Sequence, residues 1–156
     1  MATNTNNYKE YTVRVYKNRT EWYLNEKYHR ENGPAIEYAD GSKLWWLNNN
    51  RHREDGPAIE CANGTKEWYL NGKRHRKDGP AIEYADGYKA WWVNGKCHRV
   101  DGPAVEYANG TKEWWLNGIQ YSEADWKKEI AKLNISCNGK IVEIDGKKYK
   151  LIEEKQ

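Results

Sequence analysis

The 156-residue sequence has no phenylalanine, one methionine, three cysteines and four prolines. No apolar run approaches the roughly 18 residues that a spanning helix needs, and Met1 to Glu10 is polar where a secretory leader would be apolar. The expectation is a cytoplasmic chain with no membrane insertion. Cys61 and Cys97 stand where equivalent positions carry Tyr or Arg, and Cys137 lies beyond the patterned region, so the cysteines do not form a disulfide framework. Neither sign of charge dominates. With 26 basic and 23 acidic residues the net charge is +3, too balanced to bind a long nucleic acid by charge alone. A mean hydropathy of −1.16 excludes a deep aliphatic core. What the chain does have is 9 Trp and 12 Tyr, and so many rings argue against disorder. Each ring buries about 150–250 Å² while keeping a polar edge, which suits a thin sheet with partly wet faces.

The rings fall on a period of 23 residues. His29, His52, His75 and His98 keep it, each followed by Arg (Arg30, Arg53, Arg76, Arg99) and, three residues further on, by Gly-Pro-Ala. Trp22, Trp45, Trp68, Trp91 and Trp114 keep the same spacing, as do Asn25, Asn48, Asn71, Asn94 and Asn117. Within one unit, Ala81 to Ala85 alternates apolar and polar at period two and reads as a half-buried strand. Asp86-Gly87 is a turn, and Lys66 to Leu70 shows the returning strand of the preceding unit. Asn71-Gly72 is a second hairpin signal, with Lys73 to Arg76 a short third strand or an extended connection. Pro80, which has no ladder donor, marks a strand's first residue or a break.

Face assignment follows from the alternation. Ile82 and Tyr84 share a face, and Trp68 and Leu70 are expected to join them as the better-buried side. The second aromatics (Tyr23, Trp46, Tyr69, Trp92, Trp115) would then lie with Glu37, Glu60, Glu83 and Glu106 on a more open side.

The ends break the pattern, as the caps of a repeat array must. Residues 1–10 are expected to be disordered or loosely packed, and 11–121 to form the array with a degenerate first unit. Residues 122–156 would form a C-terminal cap. There Ser122-Glu123-Ala124-Asp125 opens a helix over about 123–133, with Trp126, Ile130 and Leu133 as its apolar stripe. A small hairpin follows over about 140–152. The fold class predicted is therefore all-β dominated: an elongated, single-layer antiparallel β-hairpin repeat array with a C-terminal α-helix and small hairpin as cap.

The unit, with its Asn-Gly-Lys core and Glu-Tyr-x-x-Gly-x-Lys arm, resembles the variant form of the MORN repeat over residues 11–121. Its His-Arg-x-x-Gly-Pro-Ala flavour resembles small repeat proteins of bacteriophages and large DNA viruses. The resemblance implies a sheet used for protein contact or lipid-adjacent scaffolding. For a viral protein it implies a host-cytoplasmic location and a host partner, including a defence protein. The family motif carries no catalytic residues.

The repeated polar residues bear on several chemistries. Two strands per unit, each about 4.7–4.9 Å from the next, separate successive histidines by roughly 10 Å. Zinc ligands must lie within about 2.0–2.3 Å of one centre, so no metal site is expected. The histidines and arginines read instead as strand-end hydrogen bonds and Arg–Glu pairs. Most aspartates sit in turns, no Gly-x-Ser-x-Gly elbow exists, and a regular array makes every environment alike, so neither catalysis nor a cofactor is expected. Binding is the remaining class. The candidate surface comprises Trp46, Tyr69, Trp92 and Trp115 beside a ladder of Arg53, Arg76 and Arg99. Leu44 and Ala90 belong with it, because each replaces the Glu that precedes Trp in other units. A protein partner is the first reading. The alternative is a nucleotide-like small molecule stacked on Trp with Arg on its phosphate.

Overall fold

The computed structural model describes residues 9–137, 141–144 and 147–150, with side chains from 9 to 133. Most of the expected loose N-terminus, residues 1–8, lies outside the described residues. The array is a 12-stranded antiparallel sheet in which hairpins follow one another in chain order. Thr12–Val15 and Arg19–Leu24 begin it, and each full unit adds a pair such as Ile59–Glu60 with Lys66–Glu67. Lys112–Leu116 and Ile119–Tyr121 end it. The helix runs over Glu123–Cys137, and Ile141–Ile144 pairs with Lys147–Lys150 as the expected small hairpin.

Each internal unit bends at its first tryptophan. Trp45, Trp68 and Trp91 interrupt the strand, and the chain continues into a separate two-stranded hairpin such as Tyr69–Leu70 with Lys73–Arg74. The tryptophan backbone joins the two parts. Its N–H donates forward to the next unit's alanine carbonyl (Trp68 to Ala81, 2.8 Å), and its carbonyl accepts from its own unit's histidine N–H (His75 to Trp68, 3.1 Å). The hairpins are also tied to one another along the array, as in Arg53 N–H to the Tyr69 carbonyl and Gly72 N–H to the Arg51 carbonyl.

The two turns of the unit differ, although both read Asx-Gly. At Asp86-Gly87 only the glycine has positive φ (98°), and the Asp86 carboxylate accepts from Tyr88 N–H at 2.9 Å. That is a type I turn closed by a bulged glycine. At Asn71-Gly72 both residues are left-handed (50° and 77°), the type I′ turn that matches strand twist.

Register corrects the expected faces. Across the sheet the directly opposed residues run Glu21, Ile36, Leu44, Ile59, Glu67, Ile82, Ala90, Val105, Glu113 on one face. On the other they run Glu37, Lys43, Glu60, Lys66, Glu83, Lys89, Glu106, Lys112, each charge opposite its counterpart. Beyond the bend, Tyr69 lies on the same side as Glu67 and the isoleucines: its hydroxyl donates to Glu67 at 2.9 Å, and it belongs to one core cluster with Ala58 and Ile59. The second aromatics therefore belong to the buried side with the isoleucines. The first tryptophans carry the Arg on their rings, while Trp45 and Trp91 also pack against the core clusters as expected. Alternation alone shows which residues share a face within a strand, but not which face the hairpin row will cover. The row covers the isoleucine face, where Ile82, Ala90, Cys97, Ala104 and Val105 form one core cluster and Ala58, Ile59 and Tyr69 another.

Candidate functional site

The repeated Arg is the keystone of each unit. Arg76 lays its guanidinium over the Trp68 ring at 3.9 Å, donates to the Pro80 carbonyl at 3.1 Å and pairs with Glu83 at 2.7 Å. Arg30, Arg53 and Arg99 repeat the arrangement on Trp22, Trp45 and Trp91. The other side of the guanidinium rests on the Gly of Gly-Pro-Ala. A Cβ at Gly56 would come within 2.9 Å of Arg53 Cζ, and one at Gly79 within 3.0 Å of Arg76 Cζ. These glycines are required for close approach, since the guanidinium occupies the space a side chain would take.

The histidine locks one unit to the next. His52 Nδ1 accepts the Asn71 backbone N–H at 3.2 Å and lies 2.9 Å from the Asn71 side-chain amide. His29 meets Asn48 and His75 meets Asn94 in the same way, while His98 Nδ1 accepts Asn117 N–H at 3.0 Å. Among the described residues no three His, Cys, Asp or Glu side chains gather as metal ligands.

Among the described residues, the surface between the His-Arg loops of successive units opens into three equivalent clefts, of 630, 500 and 600 Å³ in chain order. In the middle one, Arg53 to Gly56 forms one wall, and Trp68, Leu70 and the loop beginning at His75 form the other. Trp45 with Leu47, and Trp91 with Val93, are their counterparts on either side. Two of the acids at the rim are held by arginines: hydrogen bonds from Arg53 and Arg99 keep Asp55 and Asp101 below the ordinary carboxylate range.

The residues singled out in the sequence divide between two places. Arg53, Arg76 and Arg99 line the clefts, with their guanidiniums already occupied by Trp, Pro and Glu. Trp46, Tyr69, Trp92, Trp115, Leu44 and Ala90 lie instead along the covered face. Tyr69 and Ala90 are buried and the others half-buried. Part of this row borders a shallower hollow of 370 Å³ between Tyr69, Arg74 and Trp92. Here rings and cations alternate, with Arg51 between Trp46 and Tyr69, and Arg74 between Tyr69 and Trp92. The next gap holds Cys97, whose thiol burial pushes up to about 12, with the Glu113 charge adding to the effect. A neutral thiol at neutral pH is a poor nucleophile.

Sequence reasoning missed the cleft residues Trp45, Trp68, Trp91, Leu47, Leu70 and Val93 because it read them as core alone; Trp45 and Trp91 do pack on the core clusters, and they line the clefts as well. The available signal was the Arg spacing: a fixed Trp and a fixed Arg eight residues apart, flanking a hairpin turn, can stack on each other. Comparison with protein-family models, curated proteins and solved structures gives no match.

Proposed function

We propose that the protein is a non-enzymatic binding module that holds a protein partner in its row of clefts. The observation that carries this reading is the threefold recurrence of one open, half-apolar cleft whose arginines are already paired. Recurrent, equivalent recesses suit a chain-like ligand, whereas catalysis needs one environment unlike the rest. The nucleotide alternative needs a guanidinium free to take phosphate, and each cleft arginine is already bonded to a carbonyl and a carboxylate. Following the resemblance to viral repeat proteins, the partner would be a host protein, including a defence component.

Replacing Leu47, Leu70 and Val93 together by Lys would place a charge in every cleft without touching the keystone. Affinity capture from host lysate should yield a stoichiometric protein with the wild type and none with the triple variant, both being folded by circular dichroism. Equal capture by the two would overturn the cleft reading. A thermal shift with a nucleotide panel, and no protein partner, would favour the small-molecule alternative.

A further inference from the structure

At the C-terminal end of the array, the chain's own helix stands where the series would place a fourth cleft. One repeat beyond the third cleft, the walls would be Arg99 to Gly102 on one side and Trp114 and Leu116 on the other. The C-terminal helix packs on Lys112–Leu116. Its Trp126 is 8% exposed and donates its indole N–H to the Arg99 carbonyl at 3.1 Å. Leu116 is only 6% exposed there, whereas its equivalents Leu47, Leu70 and Val93 remain half-exposed in the open clefts. The carbonyls equivalent to that of Arg99, those of Arg30, Arg53 and Arg76, have no donor among the described residues. The opposite end is closed in a similar manner, with Tyr11 beside the buried His29 at 6.1 Å between centroids and Lys9 paired to Glu31.

Capping an array requires only that apolar surface be covered. The indole does more, because it satisfies a specific carbonyl, at the end of the array where the leucine of the repeat is buried. We infer that the three open clefts are receptors for tryptophan side chains of a partner protein, each taking an indole whose N–H donates to the carbonyl of Arg30, Arg53 or Arg76. Trp126 is the built-in example of the bound state. Clefts about 10 Å apart match the rise of roughly seven helical residues, so one partner helix can seat rings in neighbouring clefts. The inference rests on the binding-module reading and supplies its recognition chemistry.

Indole and 1-methylindole have nearly the same shape and differ in the N–H, so they isolate that chemistry. Titrated into the ¹⁵N-labelled full chain, indole should shift the amides of Glu31, Glu54 and Lys77, which follow the three accepting carbonyls, and leave Val100 unmoved. 1-Methylindole should bind about fivefold to tenfold more weakly, the loss of one hydrogen bond. In Trp126→Ala the Val100 amide should join the responding set. If that variant loses its helix, Trp126→Phe keeps a ring without the donor and should lower thermal stability, with added indole not restoring it. Equal affinity for both probes, or shifts only around the Tyr69–Trp92 hollow, would overturn the inference while leaving the capture experiment to judge the module reading. A dimer by light scattering with unresponsive clefts would show a second copy's helix as the occupant and would equally overturn it.

Discussion

At the scale of single residues, one guanidinium explains four features of the repeat. The Trp gives it a face, the Gly makes room for it, and the Pro carbonyl and the Glu take its hydrogens. Arg76→Lys keeps the charge and loses the planar fork, which should cost about 1–3 kcal/mol in urea unfolding. Gly79→Ala should cost about 1–3 kcal/mol in the native chain, because its Cβ would press on the guanidinium. It should cost clearly less in the Arg76→Lys background, where a flexible stem can give way. A double-mutant cycle measures this coupling, and additive costs would mean that the glycine serves the backbone and not the arginine.

At the scale of the hairpin, the alternating departures at Leu44 and Ala90 acquire a physical meaning. In three units a Glu receives the second aromatic's polar atom: Tyr23 to Glu21 at 2.6 Å, Tyr69 to Glu67 at 2.9 Å and Trp115 to Glu113 at 2.8 Å. Glu67 also accepts from Arg74 Nε at 3.3 Å. Where Leu44 or Ala90 stands instead, the indole nitrogens of Trp46 and Trp92 are buried without partners among the described residues, as is Arg51 Nε. Both units keep Trp rather than Tyr at the second aromatic. In the Ala90 unit the Arg is also replaced, by Cys97, so this second departure removes the donor that would otherwise be stranded. Leu44→Glu should therefore give Trp46 and Arg51 an acceptor and leave stability unchanged or raised by up to about 1 kcal/mol. Leu44→Ala, which offers none, should lose about 2 kcal/mol. Equal losses for the two in urea unfolding would show that the pocket cannot admit a carboxylate. The sequence displayed these departures plainly, and the period, both turns and the helix start at Ser122 were equally legible. The covered face was not. It depends on which way the hairpin row folds at Trp45, Trp68 and Trp91, a three-dimensional choice to which a period-two pattern is blind.

At the scale of the molecule, the same bonds recur from unit to unit and stability should scale with their number. Arrays of this kind behave as a sum of unit and neighbour terms. Here the neighbour terms are explicit: one His–Asn lock, one Arg-to-hairpin backbone bond and one strand pairing at each junction. Removing residues 57–79 joins Gly56 to Pro80, preserves Gly-Pro-Ala and deletes one 23-residue period. The shortened chain should fold, keep both end caps and lose one cleft, with its urea m-value reduced in proportion to the surface removed. The join also sets the Ile82 strand beside Lys43–Leu44, a neighbour of the same kind as the one it leaves. A deletion one residue longer, 57–80, should fail. It removes the proline and shifts every later residue to the opposite face, turning Ile82 outward and Glu83 inward. Circular dichroism and urea titration distinguish the two. If both deletions fold equally well, register is not what holds the units together, and the keystone arginine would have to be doing so by itself.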